Sequence, residues 1–453
     1  MIMKKLICIC TTILIFVLMS ISLPLYGSGK GKEEGITTLT IWWWGETEAQ
    51  GLEPWMNETV QLFEKENPNI KVEAVLQSIE QVFAGFQAAV EAQEVPDIQF
   101  FFGGIWCLEQ AFLGNVQPFS KYFTKDELDH LLPMARLYTT YKGDIYGFPF
   151  YIVGMAGVYN KDLFKKAGLD PNKPPKTWQE WMTACKKLRG IGVTPYGIGD
   201  KDQYSGGESM SYWGTQMYDS ILDIWKPVLG MEKYTDPKHM FYWIKLEEMV
   251  KAGVYNDDVS SIDHYQGHEL FVRELAATTW TTQPELVRWE QQMGPDHVGV
   301  MQFPVAGTGK LADTVGGPVQ VLGIPTLAKH PEEAALFLKF LHRKDRVKAM
   351  YESAYAIAPT DVFDPAWIKS DVDKKILEWI RTKPGPWYQY LYPTQFEAEI
   401  VSPNTSLVFT GTLTAQEAAQ RCQDFMVKWR NDNPTLVQAF KDWMESVKME
   451  LGQ

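Results

Sequence analysis

Between Leu39 and Phe102 the chain switches repeatedly between strand-like and helix-like hydrophobic periods, and this alternation restricts its fold more than any other feature. Leu39-Thr40-Ile41-Trp42-Trp43-Trp44 is a short apolar, β-prone run stopped by Gly45, as a buried strand would be. From about Pro54, the residues Met56, Val60 and Phe63 recur at helical spacing until Asn67-Pro68-Asn69 stops the helix. Ile70 to Leu76 predicts a second strand and Phe83 to Ala92 a second helix. Asp97 to Phe102 predicts a third strand, closed by Gly103-Gly104. Strands separated by helices predict an open parallel sheet with crossover helices, an α/β fold.

Later segments continue in the same style. Thr177 and Glu180, like Thr414 and Glu417, have capping-box spacing at a helix start. Trp181, Cys185 and Leu188 then share one face, as do Cys422, Phe425 and Trp429, which predicts core positions for both cysteines. Pro331 to Tyr351 predicts a further helix with Ala334, Phe337, Leu338 and Leu341 inward. At 453 residues the chain is too long for one ordinary domain, so two are expected.

Lys4 and Lys5 precede an apolar run from Leu6 to Met19, the length of a signal peptide and short for a membrane span. Gly27-Ser28-Gly29 offers a small-x-small cleavage site, so residues 1–29 read as a signal peptide, with a retained anchor as the alternative. Cleavage removes Cys8 and Cys10 and leaves Cys107, Cys185 and Cys422, which allow one bridge at most. No cysteine stands behind small residues at the end of the run, which favours an exported, soluble chain over a lipid-anchored one. The net charge of −13 argues against a nucleic-acid partner and against adhesion to anionic lipid.

Catalytic signatures fail one by one. His268-Glu269 begins like the zinc-protease motif, but Val272 holds the place of its second His. His264 and His268 could share a helix face near Asp263, yet no third metal ligand is evident. Gly309-Lys310 lacks the hydroxyl residue of a phosphate loop, since Leu311 follows. The run Gly207 to Ser211 lacks the last Gly of a nucleophile elbow, and Gly45 stands alone where a dinucleotide fingerprint needs three glycines. The acids Glu46, Glu48, Asp257 and Asp258, with 17 Trp in the chain, keep a glycosidase under consideration.

Several passages are similar to the extracellular solute-binding proteins of carbohydrate ABC transporters, the group that includes maltose- and oligosaccharide-binding proteins. Phe63 to Val72 and Val95-Pro96-Asp97-Ile98 carry part of the resemblance. Its longest stretch runs from Tyr146-Gly147-Phe148-Pro149 through Tyr159 to Phe164 and Ala167-Gly168-Leu169 to Pro174 to Trp178. Gly316-Gly317 and Pro331 to Ala335 match a later segment, whereas Phe271 to Thr278 departs from the usual Phe-x-x-Gly-Lys-Ala-Ala-Met.

The resemblance implies a two-lobe periplasmic-binding-protein fold, type II-like, each lobe a mostly parallel sheet flanked by helices, with a multi-strand hinge. Residues 36–149 and 305–360 would form the N-terminal lobe, and 150–304 and 361–453 the C-terminal lobe. The implied function is capture of a carbohydrate in the periplasm or outside the cell, by a monomer that hands it to an ABC transporter permease. Neither cofactor, metal nor catalysis is implied. A secreted glycoside hydrolase or lyase is the alternative, and a binding protein for iron or a peptide a third reading.

Sugars present C–H faces that aromatic rings cover and hydroxyls that carboxylates and amides satisfy. Ligands of open α/β sheets sit beyond the carboxyl ends of strands. Trp44 and Glu46 follow the first strand, and Phe102 and Gly103 end the third, while Trp43 points away. Tyr151 follows the Gly-Phe-Pro turn, where the family's chain passes between lobes. In the second lobe, Glu208, Tyr212 and Trp213 occupy a Gly- and Ser-rich loop, and Trp280 ends a strand-like run. Gly317 resembles a family position whose backbone approaches ligand. Core packing is the alternative for each aromatic. Trp387, Tyr388 and Tyr390 form a further candidate wall.

Overall fold

The alternation read from Leu39 to Phe102 is present in the computed structural model, which describes residues 35–451. The expected signal peptide lies outside the described residues. β1 (Thr37–Trp43), α1 (Leu52–Glu66), β2 (Ile70–Leu76), α2 (Ile79–Ala92) and β3 (Ile98–Phe102) follow in order. β1 pairs in parallel with β2, from Thr37 with Ile70 to Trp43 with Leu76, and with β3 on its other edge. α1 buries Leu52, Trp55, Met56, Thr59 and Phe63, a stripe at helical spacing. Phe63 meets Phe337 and Phe340 of the helix Pro331–Leu341 edge to face, with centroids 5.0 and 5.3 Å apart.

Further along come β4 (Phe148–Ile152), β5 (Met155–Asn160), β6 (Thr194–Tyr196) and α3 (Ser205–Trp213). α4 (His264–Val272), β7 (Ala276–Thr282), α5 (Gln283–Met293), β8 (Val298–Met301) and β9 (Val319–Gly323) complete the framework. The first sheet has the order β2-β1-β3-β9-β4 and the second β8-β5-β7-β6. One strand in each sheet runs against its neighbours: β9 in the first and β5 in the second. These are the strands that the chain enters directly from the other sheet, with no crossover helix to restore its direction.

Two expectations need correction. Residues 150–152 belong to the first sheet, because Tyr151 and Ile152 pair with Gln320 and Val319 of β9. The chain therefore leaves that sheet after Ile152, not after Pro149. The segment from Glu208 to Trp213 is helix, not loop. Its glycines serve contact: a Cβ on Gly206 would lie 2.8 Å from the Ser402 backbone and one on Gly207 2.5 Å from the Gln389 side chain.

Both predicted capping boxes form, at Thr177 with Glu180 and Thr414 with Glu417. Cys107, Cys185 and Cys422 are buried and free. Among the described residues no helix is long and apolar enough to cross a membrane.

Candidate functional site

Strand ends from both sheets converge on one polar cavity. Past β1 the chain turns through Gly45, whose φ of 145° suits glycine, and delivers Glu48. From the second sheet, Thr281 and Thr282 end β7, and Glu285 stands in the first turn of α5. Tyr204 and Glu208 come from the start of α3, and His264, Tyr265 and His268 from α4. Together they enclose about 10 Å³, room for about one water. A larger cavity of about 620 Å³ shares Tyr265 and Glu285 and adds Glu46, Gln50, Arg288 and Trp289. A third, of about 560 Å³, lies elsewhere, beside Pro174, Trp379 and Lys383, and receives nothing from the strands of the first sheet.

The inner cavity is electrically unusual. Burial pushes the Glu208 carboxyl up to about 8 and the Glu48 carboxyl up to about 7. Glu48 is anchored by the Gln320 amide, which donates to its two oxygens at 2.9 and 3.1 Å. The register between β9 and β4 shifts at this point, where Gln320 pairs with Tyr151 and Val321 with Pro149, leaving Phe150 as the extra residue of β4. Glu208 is held more loosely, with the Tyr212 hydroxyl at 3.4 Å and the His264 ring at 3.8 Å. Burial also drives His264 well below its ordinary value, so its imidazole is neutral, and its Nδ1 has no hydrogen-bond partner. Burial opposes charge on His268 and Glu285 alike, but the two sit 3.0 Å apart as an ion pair. Their attraction prevails, raising His268 and lowering Glu285.

The residues singled out from sequence divide into three groups. Glu208 lines the inner cavity, and Glu46 the outer one. Glu46 is also committed to structure, since its carboxylate accepts from the amides of Gly51 and Glu53 at the start of α1. A second group backs the cavity without lining it. Tyr212 reaches Glu208 and stacks on Phe303 at 4.2 Å. Tyr151 is fully buried beside Glu48. Trp44 and Phe102 meet edge to face at 5.6 Å, and Phe102 stacks on Tyr390 at 5.8 Å.

The third group is core or hinge. Trp213 meets Trp178, and Trp280 lies across Gly157 on the paired strand β5, where a Cβ would fall 1.4 Å from its ring. The amide of Gly103 donates to the Val319 carbonyl. Gly317 lets two segments that cross between the sheets touch, because a Cβ there would lie 1.9 Å from the Val153 carbonyl.

Sequence reasoning passed over Glu48 as a mere neighbour of Glu46, and His264 and His268 as a weak metal pair. Glu285 and Gln320 escaped it. Position just past a strand's carboxyl end would have flagged Glu48 and Glu285. Nothing local flags Gln320. Among the described residues no group of three or more His, Cys, Asp or Glu is arranged to hold a metal ion. Trp387 meets Tyr212 of α3 and Tyr390 meets Phe102 at the end of β3, so this segment bridges that helix and the first sheet.

Comparison with known proteins agrees with this architecture. An sn-glycerol-3-phosphate-binding periplasmic protein, UgpB of Brucella abortus, is 32% identical over 175 residues, which is 37% of this chain and 40% of that relative. The match thus spans less than half the length of that relative. An uncharacterized ABC transporter extracellular-binding protein of Pyrococcus horikoshii is 26% identical over 319 residues, 69% of this chain and 70% of the relative. A solved chitin oligosaccharide binding protein has the same two-lobe fold, with a TM-score of 0.75 at 18% identity over 87% of this chain and 98% of that one. Residues 44–348, more than half of the chain, match the family described as bacterial extracellular solute-binding protein, and the chain belongs to that family.

Proposed function

We propose that the protein, once exported, binds a carbohydrate between its two lobes and passes it unaltered to the membrane permease of an ABC transporter. The observation that carries this reading is the convergence of hydrogen-bonding side chains from both sheets on one cavity beyond the carboxyl ends of their strands. Glu208, with one long hydrogen bond, and the unpartnered Nδ1 of His264 are costly to bury unless a polar ligand satisfies them. The fold shared with a chitin oligosaccharide binding protein, and the relative named as an ABC transporter component, support the same reading.

The inner cavity holds no sugar as it stands, since about 10 Å³ admits one water. Ligand entry requires the lobes to part, and the segments that cross between the sheets, 153–154 and 302–318, are where a hinge would flex. The proposed contacts are Glu208, Glu48, His264, His268 and Glu285. Trp44, Phe102, Tyr151 and Tyr212 support them from behind. An anionic ligand such as a phosphate ester suits this site poorly, because the cation of the inner cavity, His268, is already paired with Glu285, and Arg288 at the mouth is outnumbered by Glu46, Asp263 and Glu269.

Thermal unfolding in the presence of mono- and oligosaccharides tests the reading. A bound sugar stabilises the protein by about 2.7 kcal/mol when present at about a hundred times its Kd, with the glycan recovered intact. Turnover of the glycan, or stabilisation by metal ions or phosphate esters and by no sugar, would overturn it.

A further inference from the structure

We infer that the sugar taken by this site carries a protonated amino group, which sits between Glu208 and Glu48. The inference rests on the carbohydrate reading above and narrows it.

The first support is the balance of charge. Glu48, Glu208 and Glu285 line the inner cavity, and His268, paired with Glu285, is the cation among its lining residues. His264 faces the same space as a neutral ring. The remaining titratable groups there, Tyr204 and Tyr265, are held protonated by burial. At the mouth, Glu46, Asp263 and Glu269 outnumber Arg288, whose guanidinium donates to the Gln50 carbonyl. No lysine lines either cavity. Two carboxyls therefore remain without a cation, and burial keeps them protonated until one arrives.

The second support is unmet hydrogen bonding. Glu208 has only long contacts, with the Tyr212 hydroxyl at 3.4 Å and the His264 ring at 3.8 Å, and the Nδ1 of His264 is unpartnered in a residue 7% exposed. An ammonium group brings three donors and a compensating charge, whereas a hydroxyl brings one donor and no charge. The neighbouring ring hydroxyls of such a sugar would satisfy His264.

A cation placed between two carboxyls that otherwise hold their protons must displace them. Binding near pH 7 should then release a proton to the buffer, as burial sets Glu48 near 7 and Glu208 near 8. A neutral sugar has no such effect.

Calorimetric titration of the purified protein, in two buffers of different ionisation enthalpy, separates the cases. The probes are glucosamine and its β-1,4-linked dimer and trimer, the same sugars N-acetylated, and glucose with cellobiose. The expected result is at least about tenfold tighter binding of the amine forms than of their N-acetylated partners, with proton release. Glu208→Gln should abolish that preference, and Glu48→Gln serves the same purpose if the first variant does not fold. Equal or tighter binding of the acetylated or neutral sugars overturns this inference and leaves the carbohydrate reading standing. If no sugar of any set binds, the carbohydrate reading falls as well.

Discussion

At the edge of the first sheet, the strand ends run into rings: Trp44 meets Phe100 and Phe102 edge to face, and Phe102 in turn meets Phe83, Trp106 and Tyr390. Glu48 alone brings a titratable group from this side into the inner cavity, with Gln320 fixing it. At the edge of the second sheet the lining is polar, with Glu208, His264, His268, Thr281 and Glu285, and the large rings of Trp213 and Trp280 are withdrawn into the core. One sheet edge thus ends in a block of packed rings, and the other in a set of donors and acceptors with Tyr204 and Tyr265 among them. Most of the aromatic content singled out from sequence lies in the scaffold, whereas carboxyl groups and histidines supply most of the polar lining of the inner cavity.

The comparison is most easily broken at Trp280. If the ring is scaffold, Trp280→Ala costs about 3–5 kcal/mol of stability in chemical denaturation. A variant of normal stability that has merely lost ligand would place the ring in the site instead. Next in size, Glu208→Ala should weaken ligand binding by about 1.5–3 kcal/mol, roughly tenfold to a hundredfold, in a calorimetric titration. Phe102→Leu, a change within the block, should affect affinity far less.

The pH dependence sharpens the same contrast. Glu48 and Glu208 hold their protons in the folded protein up to about 7 and about 8, against 4.5 for the free side chain. Their contribution to stability is therefore complete below about 4.5 and drains away as pH rises through the folded values. Between about pH 5 and about pH 8 the wild type should lose more Tm than a Glu48→Gln/Glu208→Gln variant does. An equal slope would mean that these carboxyls ionise freely. The smallest effect belongs to Arg288→Ala, which removes the bond to the Gln50 carbonyl across the mouth. It should cost about 1 kcal/mol, around fivefold in affinity, measured by the same titration.

Much of the fold was legible because hydrophobic period and turn residues act locally. The run from Leu39 to Phe102 gave its strands and helices in order, and the capping boxes at Thr177 and Thr414 marked true helix starts. The passage near Tyr151 was harder, because membership of a sheet is settled by pairing with a strand some 170 residues away. The Gly- and Ser-rich stretch before Trp213 looked like loop because its glycines are there for close helix packing, which composition does not disclose. The site was legible in part. Glu208, singled out from sequence, lines the inner cavity, but Gln320 is tied to that cavity only through Glu48, and His264 and His268 only through the carboxyl groups they meet.

The central claim is that ligand is held between lobes that close over it, and the distance across the mouth tests this most directly. Gln50 and Gln292 line opposite sides of the outer cavity and are exposed, while the cysteines of the described residues are buried and resist labelling. Spin labels on a Gln50→Cys/Gln292→Cys variant should give a broad distance distribution without sugar and a single shorter distance at saturation. A ligand that binds tightly and leaves that distribution unchanged would contradict the account.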